Sequence, residues 1–223
     1  MIVWVASFPR SGNNLCLLTL SKVFDAETGS VLNPESLVSR LSLEPDADLR
    51  ASLRELDETV YVKTHRLADP EDVDPALYLV RDGRDSLVSY AHFMRERGDE
   101  RFASMSFEET LAALLEREDH PYGSWSGNVR SWLGRDAPTR VVRFEDLVAD
   151  PVRAVREAME TLGVALPEPG GRLPTFGELH RRNPLVFRRG KVGSWKSELP
   201  PELEERFWQL HGAEMEALGY SRG

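Results

Sequence analysis

The chain has 223 residues, a length that suits one domain of ordinary to large size. Hydrophobic residues make up 41% and charged residues 29%, a globular mixture that excludes an intrinsically disordered chain. Lys and Arg number 28 against 37 Asp and Glu, and the net charge of −9 argues against nucleic-acid binding through an overall positive field, though a local basic pocket for a small anion stays open.

Ile2–Ala6 reads as a short, fully apolar strand of the kind buried in a parallel sheet. It is too short for the core of a signal peptide and has no basic residue before it. No apolar run anywhere approaches the roughly 18 residues of a membrane span. The single Cys16 excludes an intramolecular disulfide. These features imply a soluble, cytoplasmic protein. A turn, Ser7–Gly12, leads into a helix over Asn13–Phe24 with Leu15, Leu18, Leu20 and Val23 at helical spacing. Turn residues at Thr28-Gly29-Ser30 and two short helices fill Asp25–Asp57. Val60–Lys63 and Ala76–Val80 are the second and third strands. Helices follow over Asp82–Glu96, Phe107–Arg117 and Ser126–Leu133, with Leu87, Tyr90 and Met94 on one stripe of the first. Arg140–Phe144 is the fourth strand. Pro151–Leu162 is a helix that Pro starts and Gly163 stops, Pro167–Pro174 is a loop, and Pro201–Leu218 is a last amphipathic helix. Short apolar strands alternating with helices predict one α/β domain over residues 1–223, with a central parallel sheet flanked by helices in three layers.

Ligands of open α/β sheets sit at the carboxyl ends of strands, and three strand ends here carry unusual residues. After the first strand, Arg10-Ser11-Gly12-Asn13-Asn14 opens a helix whose unpaired N–H groups and dipole favour an anion. It lacks the first Gly and the Gly-Lys pair of a Walker A loop. The plain alternative is a strand-to-helix turn capped by Ser or Asn. After the second strand come Lys63-Thr64-His65, where the His is a candidate general base and the Lys lies on the same side of the extended chain. After the third, Arg81-Asp82-Gly83-Arg84-Asp85 precedes a helix with Ser89. Arg81 could hold a phosphate bidentately; the plain alternative is a salt-bridged turn with Arg84 and Asp85 solvated. A fourth segment, Phe187–Lys196, packs four cations and two Gly into ten residues and resembles an anion clamp, or else a solvated basic face.

Together, in this order, these segments resemble the sulfotransferases that use 3′-phosphoadenosine 5′-phosphosulfate. The resemblance implies a P-loop-NTPase-like α/β fold and direct in-line transfer of a sulfuryl group to a hydroxyl or amine of a small-molecule acceptor. It implies no metal, and the short apolar runs and the net charge argue against a membrane and a nucleic-acid partner. Arg10, Ser11, Gly12, Asn13 and Asn14 match the family's loop for the 5′-phosphosulfate, and Arg81 with Ser89 match its grip on the 3′-phosphate. Phe144-Glu145-Asp146-Leu147 matches a Tyr-Glu-Asp-Leu-like element. Arg188-Arg189-Gly190 through Gly193-Ser194-Trp195-Lys196 matches the C-terminal R-K-G-x-x-G-x-W-K signature. Thr175 and Phe176 fall where the family contacts the nucleotide, and His65 falls at the general base of a Lys-Thr-His motif, with Lys63 and Arg10 bearing on the bridging and 5′-phosphate oxygens. Departures are Arg10 for Lys, Asn13 and Asn14 for Thr, Leu15 for an adenine-stacking Trp that Phe176 would have to replace, and Phe144 for Tyr. Pro200-Pro201 stands in place of the Thr-Val of the animal dimer motif. Candidate acceptor-pocket walls are Phe8, Phe93, Phe102 and Trp125. Alternatives are an ATP-dependent small-molecule kinase, a non-catalytic nucleotide- or nucleic-acid-binding module, and a homologue that binds donor without turnover.

Overall fold

The computed structural model describes residues 1–26, 28–29, 47–117 and 120–222. Its centre is an all-parallel sheet in the order β2-β3-β1-β4-β5, with β1 at Ile2–Ser7, β2 at Thr28–Gly29, β3 at Val60–Thr64, β4 at Ala76–Val80 and β5 at Thr139–Arg143. The two-residue β2 is the edge strand, placed where the sequence predicts only a turn. Helices follow as α1 (Asn13–Val23), α2 (Ala47–Arg54), α3 (Gly83–Glu96), α4 (Phe107–Leu115), α5 (Trp125–Leu133), α6 (Phe144–Ala149), α7 (Pro151–Thr161), α8 (Phe176–Arg182) and α9 (Pro201–Ala217). Of the two helices expected before the second strand, α2 is present; residues 30–46 lie outside the described residues. Among the described residues no helix is long and apolar enough to cross a membrane.

The strands are apolar on both faces because both faces are covered. Successive side chains of a strand point to opposite sides, so Val3, Val5, Leu77 and Leu79 pack with α1 and α7 around Leu17, Leu20 and Met159. Ile2, Trp4, Ala6 and Tyr78 pack on the other side with Met94, Trp132, Phe207 and Met215. α9 and Trp195 belong to that second core, which ties the C-terminal quarter to the first strand.

Two short helices differ from the sequence expectation. Phe144 starts α6 instead of ending β5: its aromatic ring continues the strand pattern, but Glu145 and Asp146 favour the positive end of a helix. α8 starts after Thr175 through a capping box, in which the Glu178 N–H donates to Thr175 Oγ1 (3.3 Å) and the Thr175 N–H donates to Glu178 Oε2 (2.7 Å).

In this strand order the chain leaves β1 for one edge of the sheet and returns to pair β4 on the other side of β1. The segments following β1 and β4 therefore diverge, opening a crevice at the carboxyl ends of the strands.

Candidate active site

A cleft of about 550 Å3 occupies that crevice. It is lined from β1 by Arg10, Gly12, Asn13 and Asn14, from β3 by Lys63 and His65, and from β4 and α3 by Arg81, Ser89, Tyr90, Phe93 and Arg97. Phe144, Phe176, Arg188, Arg189, Gly190 and Lys191 close it from the C-terminal half. Among the described residues, seven Arg and Lys side chains line it and no carboxylate does, in a chain whose net charge is −9. Such a lining suits a polyanion.

The β1–α1 turn is built for close approach. Gly12 has φ of 104°, and a Cβ there would lie 2.9 Å from Phe144 Cδ2 and 3.1 Å from Leu147 Cδ2. It takes the N-cap position of α1 with no side-chain cap, so the first N–H groups of that 11-residue helix are left for another acceptor. Neither the Ser nor the Asn of the turn caps it. Arg10 also has a left-handed backbone, φ 71°, a strained conformation for a residue with a Cβ that costs about 1 kcal/mol. Its guanidinium donates to Ser89 Oγ (3.1 Å), to the Leu185 carbonyl (3.2 Å) and to the Val186 carbonyl (2.8 Å), and lies over the Phe93 ring. Burial, with Arg81 and Arg188 nearby, lowers its pKa to about 10, against a counteracting pull from Glu96.

Lys63 donates to Asn14 Oδ1 (3.1 Å), and burial beside Arg10 lowers it to about 8. His65 Nδ1 is 2.8 Å from the Ser7 carbonyl oxygen. A carbonyl only accepts, so Nδ1 carries the proton and Nε2 keeps its lone pair. Burial, reinforced by Lys63 and Arg10, holds this imidazole down to about 3 despite the bond to Ser7, so it is neutral across the physiological range. Asn128 on α5 fixes the same corner: its Nδ2 donates to the His65 carbonyl (2.8 Å) and the Tyr122 carbonyl (2.9 Å), while its Oδ1 accepts from Tyr78 Oη (2.9 Å). The Tyr122 ring meets the His65 ring edge-on at 5.8 Å.

Arg81 is buried, with its guanidinium over the Phe144 ring; Nη1 donates to the Arg10 carbonyl (3.2 Å) and Nη2 to the Lys191 carbonyl (2.8 Å). Arg81 Nε and Arg188 Nε are buried and make no hydrogen bond. An unsatisfied buried donor costs about 1–3 kcal/mol, and an anion's oxygens in the cleft would relieve it. These two donors, the uncapped helix and the carboxylate-free lining fit a phosphorylated nucleotide.

The model of the family described as "Sulfotransferase domain" matches residues 2–175. The chain belongs to the sulfotransferase family. It is 28% identical to cytosolic sulfotransferase 5 of Arabidopsis thaliana over 91% of this chain and 76% of that protein. To flavonol 3-sulfotransferase of Flaveria bidentis it is 24% identical over 97% of this chain and 82% of that one. Among solved structures it resembles mouse sulfotransferase SULT7A1 complexed with PAP, with a TM-score of 0.70 at 20% identity, covering 96% of this chain and 83% of that one. That likeness establishes the sulfotransferase fold, the α/β architecture expected from the sequence.

Of the catalytic and nucleotide-binding residues expected from the sequence, two stand outside the cleft lining of this sulfotransferase. Ser11 is buried, its Oγ 3.3 Å from Ser86 Oγ, and the Thr175 side chain is engaged in the α8 capping box. Asn13 borders the cleft, but its Nδ2 is turned into the sheet, donating to the Val5 carbonyl at 2.8 Å. Phe176 is 44% exposed at the mouth, against Gly190. Phe8, Phe102 and Trp125 are core residues, whereas Phe93 does line the cleft. Arg84 and Asp85, solvated in the plain alternative for this turn, are 3% and 1% exposed. Sequence reasoning missed Tyr90, Tyr122 and Asn128; the stripe on α3 marked Tyr90 only as core, and nothing local marks the other two.

Proposed function

We propose that this sulfotransferase moves the sulfuryl group of 3′-phosphoadenosine 5′-phosphosulfate to a hydroxyl or amine of a small-molecule acceptor, directly and in line, with His65 as general base. The observation that carries the proposal is a carboxylate-free cationic cleft meeting a neutral imidazole whose free nitrogen is set by its bond to Ser7. Arg10 and Lys63, beside the uncapped start of α1, would bear on the 5′-phosphosulfate. Arg81, Ser89 and Arg188–Gly190 would hold the 3′-phosphate. Asn13, Asn14 and Phe144 complete the nucleotide's surroundings and Phe176 supplies a ring at the mouth. PAP-bound mouse sulfotransferase SULT7A1, with the same fold, supports this choice of nucleotide.

His65 Nε2 takes the acceptor's proton as the new S–O bond forms. The bond from sulfur to the bridging oxygen breaks, and the negative charge left on the 5′-phosphate falls next to Arg10 and Lys63. Lys63, lowered to about 8, is charged at neutral pH and has few competing partners. Tyr90, Phe93 and Tyr122 form an aromatic wall beside His65 on which an acceptor can lie. We read residues 1–223 as one catalytic domain because α9 and Trp195 share a core with β1, and we place the protein in the cytoplasm with the relatives named cytosolic.

Replacing His65 tests the base. His65→Asn should lower turnover about 100-fold or more while PAP binding stays within about threefold. Near-normal turnover by that variant would remove His65 from the chemistry.

A further inference from the structure

We infer that Asp85 is the positioning residue of the donor site: its carboxylate anchors the segment Arg188–Trp195 over the cleft and so creates recognition of a 3′-phosphate. The inference rests on the donor reading above. Asp85 lies in the first turn of α3, four residues after Arg81, and is 1% exposed. Its Oδ2 accepts from the Gly193 N–H at 2.7 Å and its Oδ1 from the Trp195 N–H at 3.0 Å. Neighbouring contacts complete the anchor. The Arg84 guanidinium lies 3.6 Å from the centre of the Trp195 ring, and is itself held by both oxygens of Asp82 and by Glu204. Upstream, Arg10 holds the carbonyls of Leu185 and Val186. Arg188, Arg189, Gly190 and Lys191 lie between these two fixed points, with the Lys191 carbonyl bound to Arg81 and with Glu198 paired to Arg188 and Arg189.

Asp85 compensates the buried charge of Arg81 as its i,i+4 partner, but that charge does nothing to help an anion bind. Asp85 sits 3.7 Å from Arg81, where its negative charge opposes any phosphate that Arg81 is to grip. What the carboxylate offers is geometry. It accepts two buried N–H groups at once through charge-assisted bonds, which one neutral amide oxygen cannot do. The two roles predict opposite signs. As an electrostatic partner of Arg81 only, Asp85 would weaken phosphate binding, and Asp85→Asn would bind PAP more tightly. As the anchor, its neutralisation frees the segment, and PAP binding weakens.

The test is the affinity of the wild type and Asp85→Asn for PAP and for adenosine 5′-monophosphate, which lacks the 3′-phosphate, with donor KM and kcat measured alongside. The expected result is a loss of about tenfold or more for PAP and in donor KM, with AMP affinity and kcat within about threefold. PAP affinity unchanged or improved in Asp85→Asn would overturn the inference, as would equal losses for PAP and AMP. If the wild type itself does not prefer PAP to AMP, the donor reading fails, independently of Asp85. Should the variant not fold, amide hydrogen exchange on the wild type decides: Gly193 and Trp195 amides slowed well beyond the Lys191 and Val192 amides support the anchor, and unprotected exchange at both refutes it.

Discussion

Lys63 makes nucleotide binding dependent on pH in a range where little else in the cleft titrates. Its ammonium has been lowered from 10.5 to about 8 by burial and by Arg10. A bound polyanion restores the charged form, so binding takes up a proton wherever the free enzyme has lost one. With a bound-state value back near 10.5, the Lys63 contribution to affinity barely changes below pH 7 and falls about tenfold between pH 7 and pH 9, where the nucleotide's phosphates are already ionised. At pH 9 the same arithmetic gives uptake of roughly 0.9 proton per PAP bound. Isothermal titration of PAP in two buffers of different ionisation enthalpy reads both quantities. Lys63→Arg, which keeps its charge, should flatten the profile. A dissociation constant constant from pH 7 to pH 9 with no proton uptake would refute the reasoning, because it would mean that Lys63 does not face the phosphate oxygens.

Two further outcomes follow from the geometry. Gly12→Ala places a Cβ 2.9 Å from Phe144 at φ 104°, and should lower stability by about 1–3 kcal/mol in urea unfolding and weaken PAP binding at least tenfold; a wild-type midpoint would show that the turn is not tightly built. His65 and His211 are held down to about 3 and about 4 by burial, so the unfolded chain binds protons first as pH falls below 6.5. Stability should therefore drop between pH 6.5 and pH 4, less steeply for His65→Asn than for the wild type, as followed by urea midpoints; parallel profiles for the two would count against a buried neutral His65.

The strands and the phosphate-facing residues were legible because their signals are local. The fully apolar pentapeptide Ile2–Ala6 before Arg10 and Gly12 reads as a buried strand feeding a sharp turn, and Lys63 and His65 lie on the same side of an extended chain. What stayed hidden depends on pairing across the fold. Asn128 and Tyr122 reach His65 from a different helix and loop, and no spacing reveals that Asn128 would find the His65 carbonyl. Arg84 and Asp85 look solvated because charges so dense in sequence usually are. They are buried here because Asp82, Glu204 and the backbone of Gly193 and Trp195, up to 120 residues away, satisfy them. α8 left a readable Thr175–Glu178 capping box, masked by reading Thr175 as a nucleotide contact.

The proposed function requires the cationic cleft to recognise a 3′-phosphorylated adenosine nucleotide. Thermal unfolding with PAP, ADP and ATP at equal concentration tests it most directly, since a ligand at about 100 times its dissociation constant adds roughly 2.7 kcal/mol to stability. A large rise in Tm with PAP and little with ADP or ATP is the predicted result. Stabilisation by ADP or ATP without any by PAP would contradict the account.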